Sequence, residues 1–400
     1  VVSALLYLPD DAAPRLAAAR VAGRSLAVRA MVAALRAGAS LIAVPESLRD
    51  ADIEHALHRM PALAAAVRWL APDAPAPAEE SAPWLLLPAS SLIHVSALAG
   101  LLAAPAPRGA VLAPSAAGAA PVTLASAALV AALWKDLAGG RPLGLTLARR
   151  LAESGAELRA ATGPHATVRE SGDLEGAEKA LEATLGIAAD SGTDRYLHRR
   201  CSRWITRLLV RSPVTPNQVS LGSLAVGLVA IWCFWHATAA SAFLGVLLYA
   251  LACILDHTDG ELARLTFQES RAGANLDWTI DTIIHAGMVL GIGVSAGGWL
   301  MGAVGLLAAV GVTLSALFAR HLPREIEVGP TVGGLLKNIA NRDLFYLVLL
   351  SFATLRWLAP ALVFVVGLAV AVGSQIYWMG CLARIRRTRA ASLVGGSSAR

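Results

Sequence analysis

The sequence predicts an all-α polytopic membrane domain of six transmembrane helices, preceded by a soluble α/β domain. Beyond Pro216 the chain becomes a series of apolar stretches of about 20 residues, the length that crosses a bilayer core. Before about residue 190 it is instead rich in Ala, Pro, Arg and Glu, with short apolar runs suited to a globular core. Basic residues gather beside alternate apolar stretches, as the positive-inside rule produces. The overall 56% hydrophobic and 16% charged shares thus average two unlike halves.

The first half, residues 1–190, carries apolar runs at 4–8, 40–45 and 84–88 that read as buried parallel strands. Helical stretches, Ser25–Ala37 and Ile53–Trp69, lie between them, and the alternation predicts an α/β layered domain. Residues 191–215 follow as a basic segment. Its apolar Tyr196, Leu197, Trp204, Ile205, Leu208 and Leu209 interleave with arginines at helical spacing, which suits a helix lying in the headgroup layer. Pro213 and Pro216 end that helix and turn the chain into the first span. The membrane domain, residues 216–390, is expected to cross at about 217–237, 241–258, 274–296, 298–319, 343–358 and 360–381, leaving a tail at 391–400.

Charge fixes the expected orientation. Arg195–Arg211, the connection with Arg264 and Arg271, the connection from Arg320 to Arg342, and the Arg384–Arg389 tail are basic. The turns His236–Ser241 and Ser295–Trp299 have no Lys or Arg, and the last turn has only Arg356. Both termini are therefore expected on the cytoplasmic side of an inner or plasma membrane. The net charge of +6 is accounted for by these flanks, which argues against nucleic acid as a partner. The four cysteines show neither ligand spacing nor a disulfide framework, and the chain starts on a strand-like run without a leader pattern.

One constellation carries chemistry. Asp256 and Asp259 are three residues apart, and Asp277 and Asp281 are four apart, so each pair shares a helix face. The first pair ends one span and the second begins the next, on the same side of the membrane. Each ionised carboxylate at membrane depth costs roughly 2.5–3.5 kcal/mol even on the lenient insertion scale. Four together require cations, and an all-oxygen set suits Mg²⁺ or Mn²⁺ with substrate phosphate oxygens. Gly260 and Ala263 keep the helix surface beside Asp259 clear, Arg264 offers a planar cation for phosphate, and Gly273 opens the third span. His257 and His285 read as polar residues near a cavity mouth rather than ligands.

The pattern D-x2-D-G-x2-A-R, eight residues, then G-x3-D-x3-D resembles the signature of the CDP-alcohol phosphotransferase family, with every fixed position filled. Thr215-Pro216-Asn217 ahead of the first span resembles the same family's TPN motif. The resemblance implies six helices around a polar cavity open to the cytoplasm, usually in a homodimer. It implies that Asp256, Asp259 and Asp277 hold one of two metal ions, Asp281 completing the second or a bridging position and acting as general base. Asp256, Gly260, Ala263, Arg264, Gly273 and Asn217 would bind the CDP moiety. Acceptor-binding candidates are Arg320, Arg324, Lys337 and Arg342. Ordinary positive-inside charge explains Arg320 and Arg324 equally well, whereas Arg342 opens a span within Asn341-Arg342-Asp343, which looks like a family feature.

In the first half, Val2–Pro9, Gly23-Arg24-Ser25-Leu26 and Arg36-Ala37-Gly38-Ala39 resemble sugar-nucleotide transferases. Asp173–Leu185 followed by Asp194–Thr206 resembles the junction of cytidylyltransferases fused to CDP-alcohol phosphotransferases of the inositol-phosphate type. A catalytic nucleotidyltransferase needs a Gly-rich loop after the first strand; here the chain reads Pro9-Asp10-Asp11-Ala12-Ala13-Pro14-Arg15. Ala89-Ser90-Ser91 stands where a metal-binding Asp is expected, so the domain reads as degenerate. The function expected is a membrane transferase in phospholipid or inositol-phosphate-type biosynthesis that moves a phosphoalcohol group from a CDP-linked donor to an alcohol acceptor, releasing CMP. The donor is CDP-diacylglycerol or a CDP-polyol. The competing class is a catalytically silent metal-binding scaffold or transporter.

Overall fold

Strands buried on both faces need apolar side chains at every position, and the first half supplies such runs. The computed structural model describes residues 2–77, 82–106, 108–113, 121–185, 191–236, 238–321 and 342–395. It divides into two units, Val1–Leu185 and Gly186–Arg400. In the first, β1 (Val2–Tyr7) pairs in parallel with β2 (Ala39–Pro45), Ala4 opposite Ile42, and with β4 (Trp84–Pro88), Leu5 opposite Leu86. With β3 (Val67–Leu70), β5 (Ala110–Ala113), β6 (Thr123–Ala125) and β7 (Glu157–Ala160), the sheet runs β7-β5-β6-β4-β1-β2-β3. Strand β6 is antiparallel to both of its neighbours.

Helix α1 (Leu26–Arg36) starts where Ser25 accepts the Val28 N–H. Its buried Arg29 donates to the carbonyls of Val21 (2.8 Å) and Ala22 (2.9 Å), tying down a turn in which Ala22 has φ +45°. Burial lowers the Arg29 pKa to about 9. The single helix expected over Ile53–Trp69 is instead three elements. Helix α2 (Ala51–Arg59) ends before Pro61, which has no N–H to continue it and opens α3 (Pro61–Ala66); residues 67–70 are β3. After β1 the chain makes a turn in which Asp10 accepts the Ala12 N–H at 3.1 Å, and Asp10 is exposed. One side of the sheet packs Leu5, Tyr7 and Leu86 against Trp134 and Leu137 of α4 (Ala127–Ala138).

The second unit opens with a π-turn at Asp194–His198 and continues as α5 (Arg199–Leu209). Its amphipathicity is inverted relative to a helix on a globular core. Arg199, Ser202 and Thr206 face inward and are buried, whereas Trp204 is 64% and Leu208 57% exposed. An outward apolar face flanked by arginines suits the headgroup layer.

Among the described residues, five helices are long and apolar enough to cross a membrane: α6 (Pro216–His236), α7 (Ala239–Thr266), α8 (Arg271–Ser295), α9 (Gly298–Ala319) and the Pro360–Arg387 stretch containing most of α11 (Val363–Gly395). The fifth expected span is α10 (Arg342–Leu358), whose 17 residues place it at the short limit for crossing. Helix α7 also outruns its expected end at 258 and carries the first aspartate pair on continuous helix. Helix α6 packs against α7 and α8, α9 against α8 and α11, and α10 against α7. Backbones touch where side chains vanish: a Cβ on Gly305 of α9 would lie 2.9 Å from Cα of Gly293 of α8.

Candidate functional site

The site is made by a helical hairpin. Helix α7 ends on Phe267, whose left-handed backbone (φ +58°) lets its N–H reach the Ala263 carbonyl. Ser270 caps α8 by accepting the Gly273 N–H at 2.9 Å. Asp256 lies ten residues before the last residue of α7, and Asp281 ten after the first of α8, so both stand about 15 Å from the turn at 1.5 Å per residue. Asp259, seven residues before the same end, and Asp277, six after the same start, match to within one residue nearer the turn. Antiparallel packing thus brings the two pairs to one depth.

All four carboxylates meet there. Asp277 lies close enough to Asp256, Asp259 and Asp281 for their charges to interact. Asp259 is buried and accepts a hydrogen bond from Ser220 of α6. Arg342, the first residue of α10, approaches Asp256 at 3.3 Å and Asp281 at 3.9 Å through Nη2. The Asp281 side chain is 41% exposed against 14% for Asp256, so it is the more open to an incoming group. A set of convergent carboxylate oxygens fits a hard divalent cation by donor chemistry.

The small residues of the motif do what their size allows. A Cβ on Gly260 would meet Nη2 of Arg264 at 3.8 Å, so the guanidinium lies beside bare backbone. Ala263 is half-buried on the same helix. Asn217 places Oδ1 where it would lie 3.4 Å from a Cβ on Gly273, bringing the first turn of α6 to the start of α8. Arg320, in contrast, is held at α8: it hydrogen-bonds to Asn275 and lies 5.1 Å over the Trp278 ring. Arg324, Lys337 and Asn341 lie outside the described residues.

Several participants escape sequence reasoning. Asp194 receives His198 Nδ1 at 2.9 Å, His257 Nε2 at 2.9 Å and Arg342 Nη1 at 3.1 Å, all on Oδ1, and Ser191 Oγ at 2.9 Å on Oδ2. Burial opposes its ionisation, but the hydrogen bonds from His198 and His257 and the Arg342 charge hold its carboxyl well below the usual range. His198 passes the network on to the Tyr346 hydroxyl at 2.8 Å, while His285 bonds Tyr249 at 2.9 Å and the Asp281 carbonyl at 2.7 Å. The i, i+4 pairing of Asp194 and His198 was the one local signal of this network. Asp194, His198 and His257 present ligand atoms within 4.8 Å of one another, a group that could hold a metal ion. Arg342 Nη1, however, stands 2.9 Å from His257 Nε2 as well as 3.1 Å from Asp194, so a cation already sits among them.

A second buried node lies one residue beyond the motif glycine. Glu261 takes Arg199 (3.0 Å) and Ser202 (3.0 Å) on one oxygen and Thr206 (2.9 Å) on the other, fastening the inward face of α5 to α7.

Residues 213–379 match the family model described as CDP-alcohol phosphatidyltransferase. Among curated proteins the chain is 36% identical over 187 residues to one from Rubrobacter xylanophilus, covering 45% of this chain and 42% of that one. It is 36% identical over 95 residues to one from Thermococcus kodakarensis (24% and 21%), and 33% identical over 113 residues to one from Archaeoglobus fulgidus (28% and 22%). Each of the three is named bifunctional IPC transferase and DIPP synthase. The matches span less than half the length of each relative.

Proposed function

From the premise that residues 213–379 form a CDP-alcohol phosphatidyltransferase domain, we propose that this membrane protein transfers a phosphoalcohol group from a CDP-linked donor to an alcohol acceptor, releasing CMP. The observation that carries the reading is the convergence of Asp256, Asp259, Asp277 and Asp281 on one hairpin. Asp256, Asp259 and Asp277 would hold one divalent cation, Mg²⁺ or Mn²⁺, and Asp281 would complete a second or bridging position. When bound, the cations neutralise the diphosphate and ease the departure of CMP.

The chain's own residues supply the rest. Gly260 and Ala263 let the nucleotide approach the backbone, Arg264 takes phosphate oxygens, and Asn217 beside Gly273 borders the same site. Asp281, the more exposed carboxylate, accepts the proton of the acceptor hydroxyl as that oxygen attacks the phosphorus. The bond from phosphorus to the CMP oxygen breaks, and CMP leaves with the electron pair. Arg342 would take an acceptor's own phosphate.

The first unit is read as a nucleotidyltransferase layer without its catalytic groups. Its sheet brings Ala89-Ser90-Ser91 to the end of β4, where a metal-binding Asp would stand, and the turn after β1 lacks glycine. The relatives' two-part name and this α/β unit favour a CDP-polyol donor over CDP-diacylglycerol. The termini and the site face the cytoplasm in this reading, and the active form is a homodimer.

The test offers CDP-diacylglycerol and CDP-inositol side by side to the purified chain with Mg²⁺ and measures CMP. Metal-dependent release that disappears in Asp281→Asn supports transfer. Absence of release with either donor favours a silent metal-binding scaffold or transporter.

A further inference from the structure

Arg342 is shared between two groups of anions. Its Nη1 lies 3.1 Å from Asp194, and its Nη2 lies 3.3 Å from Asp256 and 3.9 Å from Asp281. A guanidinium and a divalent cation compete for the same carboxylate oxygens, so whatever holds Arg342 back decides how much negative charge remains for the metal. Asp194 is built to do that. Its carboxylate is fixed by Ser191, His198 and His257, and His198 is fixed in turn by Tyr346, one helical turn beyond Arg342 on α10. The attachment is reciprocal: Asp343 accepts the N–H groups of Gly192 (2.9 Å) and Thr193 (3.0 Å). Adjacent residues of α10 thus clasp adjacent residues of the strap that carries Asp194.

We propose that Asp194 is a positioning residue that restrains the Arg342 guanidinium, so that Asp256 and Asp281 stay available to a divalent cation. Without Asp194, Nη1 loses its anion and the guanidinium turns fully onto Asp256 and Asp281. The inference rests on reading the aspartates as the metal site.

The experiment measures Mn²⁺ binding to the full-length protein in detergent by electron paramagnetic resonance of the free ion, for wild type, Asp194→Asn, Arg342→Gln, the double variant and Asp343→Asn. Asp194→Asn is expected to weaken Mn²⁺ binding about 10–100-fold, the usual effect of losing a group that supports a metal site from outside. Arg342→Gln is expected to tighten binding, and the double variant to bind as Arg342→Gln does, because the competitor is gone. Asp343→Asn loosens the same strap without touching the charge on Arg342, and is expected to stay within about twofold of wild type, well short of that effect.

Four results would overturn the proposal: wild-type affinity in Asp194→Asn, a double variant as weak as Asp194→Asn, weaker binding in Arg342→Gln, or Asp343→Asn matching Asp194→Asn. Loss of one Mn²⁺ equivalent with unchanged affinity of the rest would place a cation on Asp194 itself and also overturn it. The Arg342→Gln arm stands even where Asp194→Asn fails to fold. CMP release by the wild type tests the transferase reading separately: the expected Mn²⁺ pattern in a protein that releases no CMP would sink that reading and leave this one.

Discussion

Glu261 occupies a position that the signature leaves free, yet it is fully buried against Arg199, Ser202 and Thr206. Its removal breaks a buried ion pair with Arg199 from one side and leaves the space of a buried carboxylate empty. Glu261→Ala should therefore destabilise the second unit by about 3–5 kcal/mol, the range for breaking a buried pair from one side, read as a lower melting temperature in detergent. Asp281→Asn should behave oppositely: CMP release falls about 10²–10⁴-fold, the contribution of a positioned base, while the melting temperature holds. The four aspartates were legible because their spacing is local and helical. Ser220, Asp194 and Tyr346 were not, because their roles arise from contacts between distant segments; Asp194 and Arg342 are 148 residues apart. Sequence spacing carries no record of such pairs.

Among the elements, hydropathy located the long spans but not their true ends. Helix α7 continues to Thr266 because a backbone leaving the bilayer core still gains by staying hydrogen-bonded, whatever its side chains. The error at Ile53–Trp69 came from reading an apolar period through Pro61, although a proline inside a helical pattern ends the helix before it. The α8–α9 contact was also invisible, since a glycine in a span shows no partner. Gly305→Val should push Cγ atoms into the backbone at Gly293 and cost about 1–3 kcal/mol of stability. Thermal aggregation of the detergent-solubilised variant measures it, and unchanged aggregation temperature would contradict the packing described.

For the molecule as a whole, the sequence put the change of character near 190–215, and the structure divides after Leu185; the α/β and helical characters of the two units were readable from the lengths and alternation of apolar runs. Tryptophan placement adds a feature that composition did not give. Trp235 lies in the last turn of α6, Trp299 in the first turn of α9 and Trp357 near the end of α10, and Arg356 donates to the Ser295 carbonyl at the end of α8. These helix ends share one side, where aromatic rings mark a membrane–water boundary. At the opposite end lie the aspartates, so catalysis should depend on ions reaching that face. Chelation by EDTA is expected to abolish CMP release, with full recovery on adding excess Mg²⁺. Activity surviving chelation would refute the metal reading.

The equal arms of the α7–α8 hairpin bear on which changes of length this chain can survive. Each added residue rotates everything beyond it by 100° and advances it 1.5 Å, so an insertion within 274–276 swings Asp277 and Asp281 together off the shared face. Substitutions at those three positions leave the count intact. Natural or engineered diversity in this stretch should therefore be rich in replacements and empty of insertions and deletions, whereas the turn at 267–270 can lengthen as long as the two arms still pair at the same depth. An insertion scan scored by CMP release would show a sharp dead zone on each arm and a tolerant gap between them.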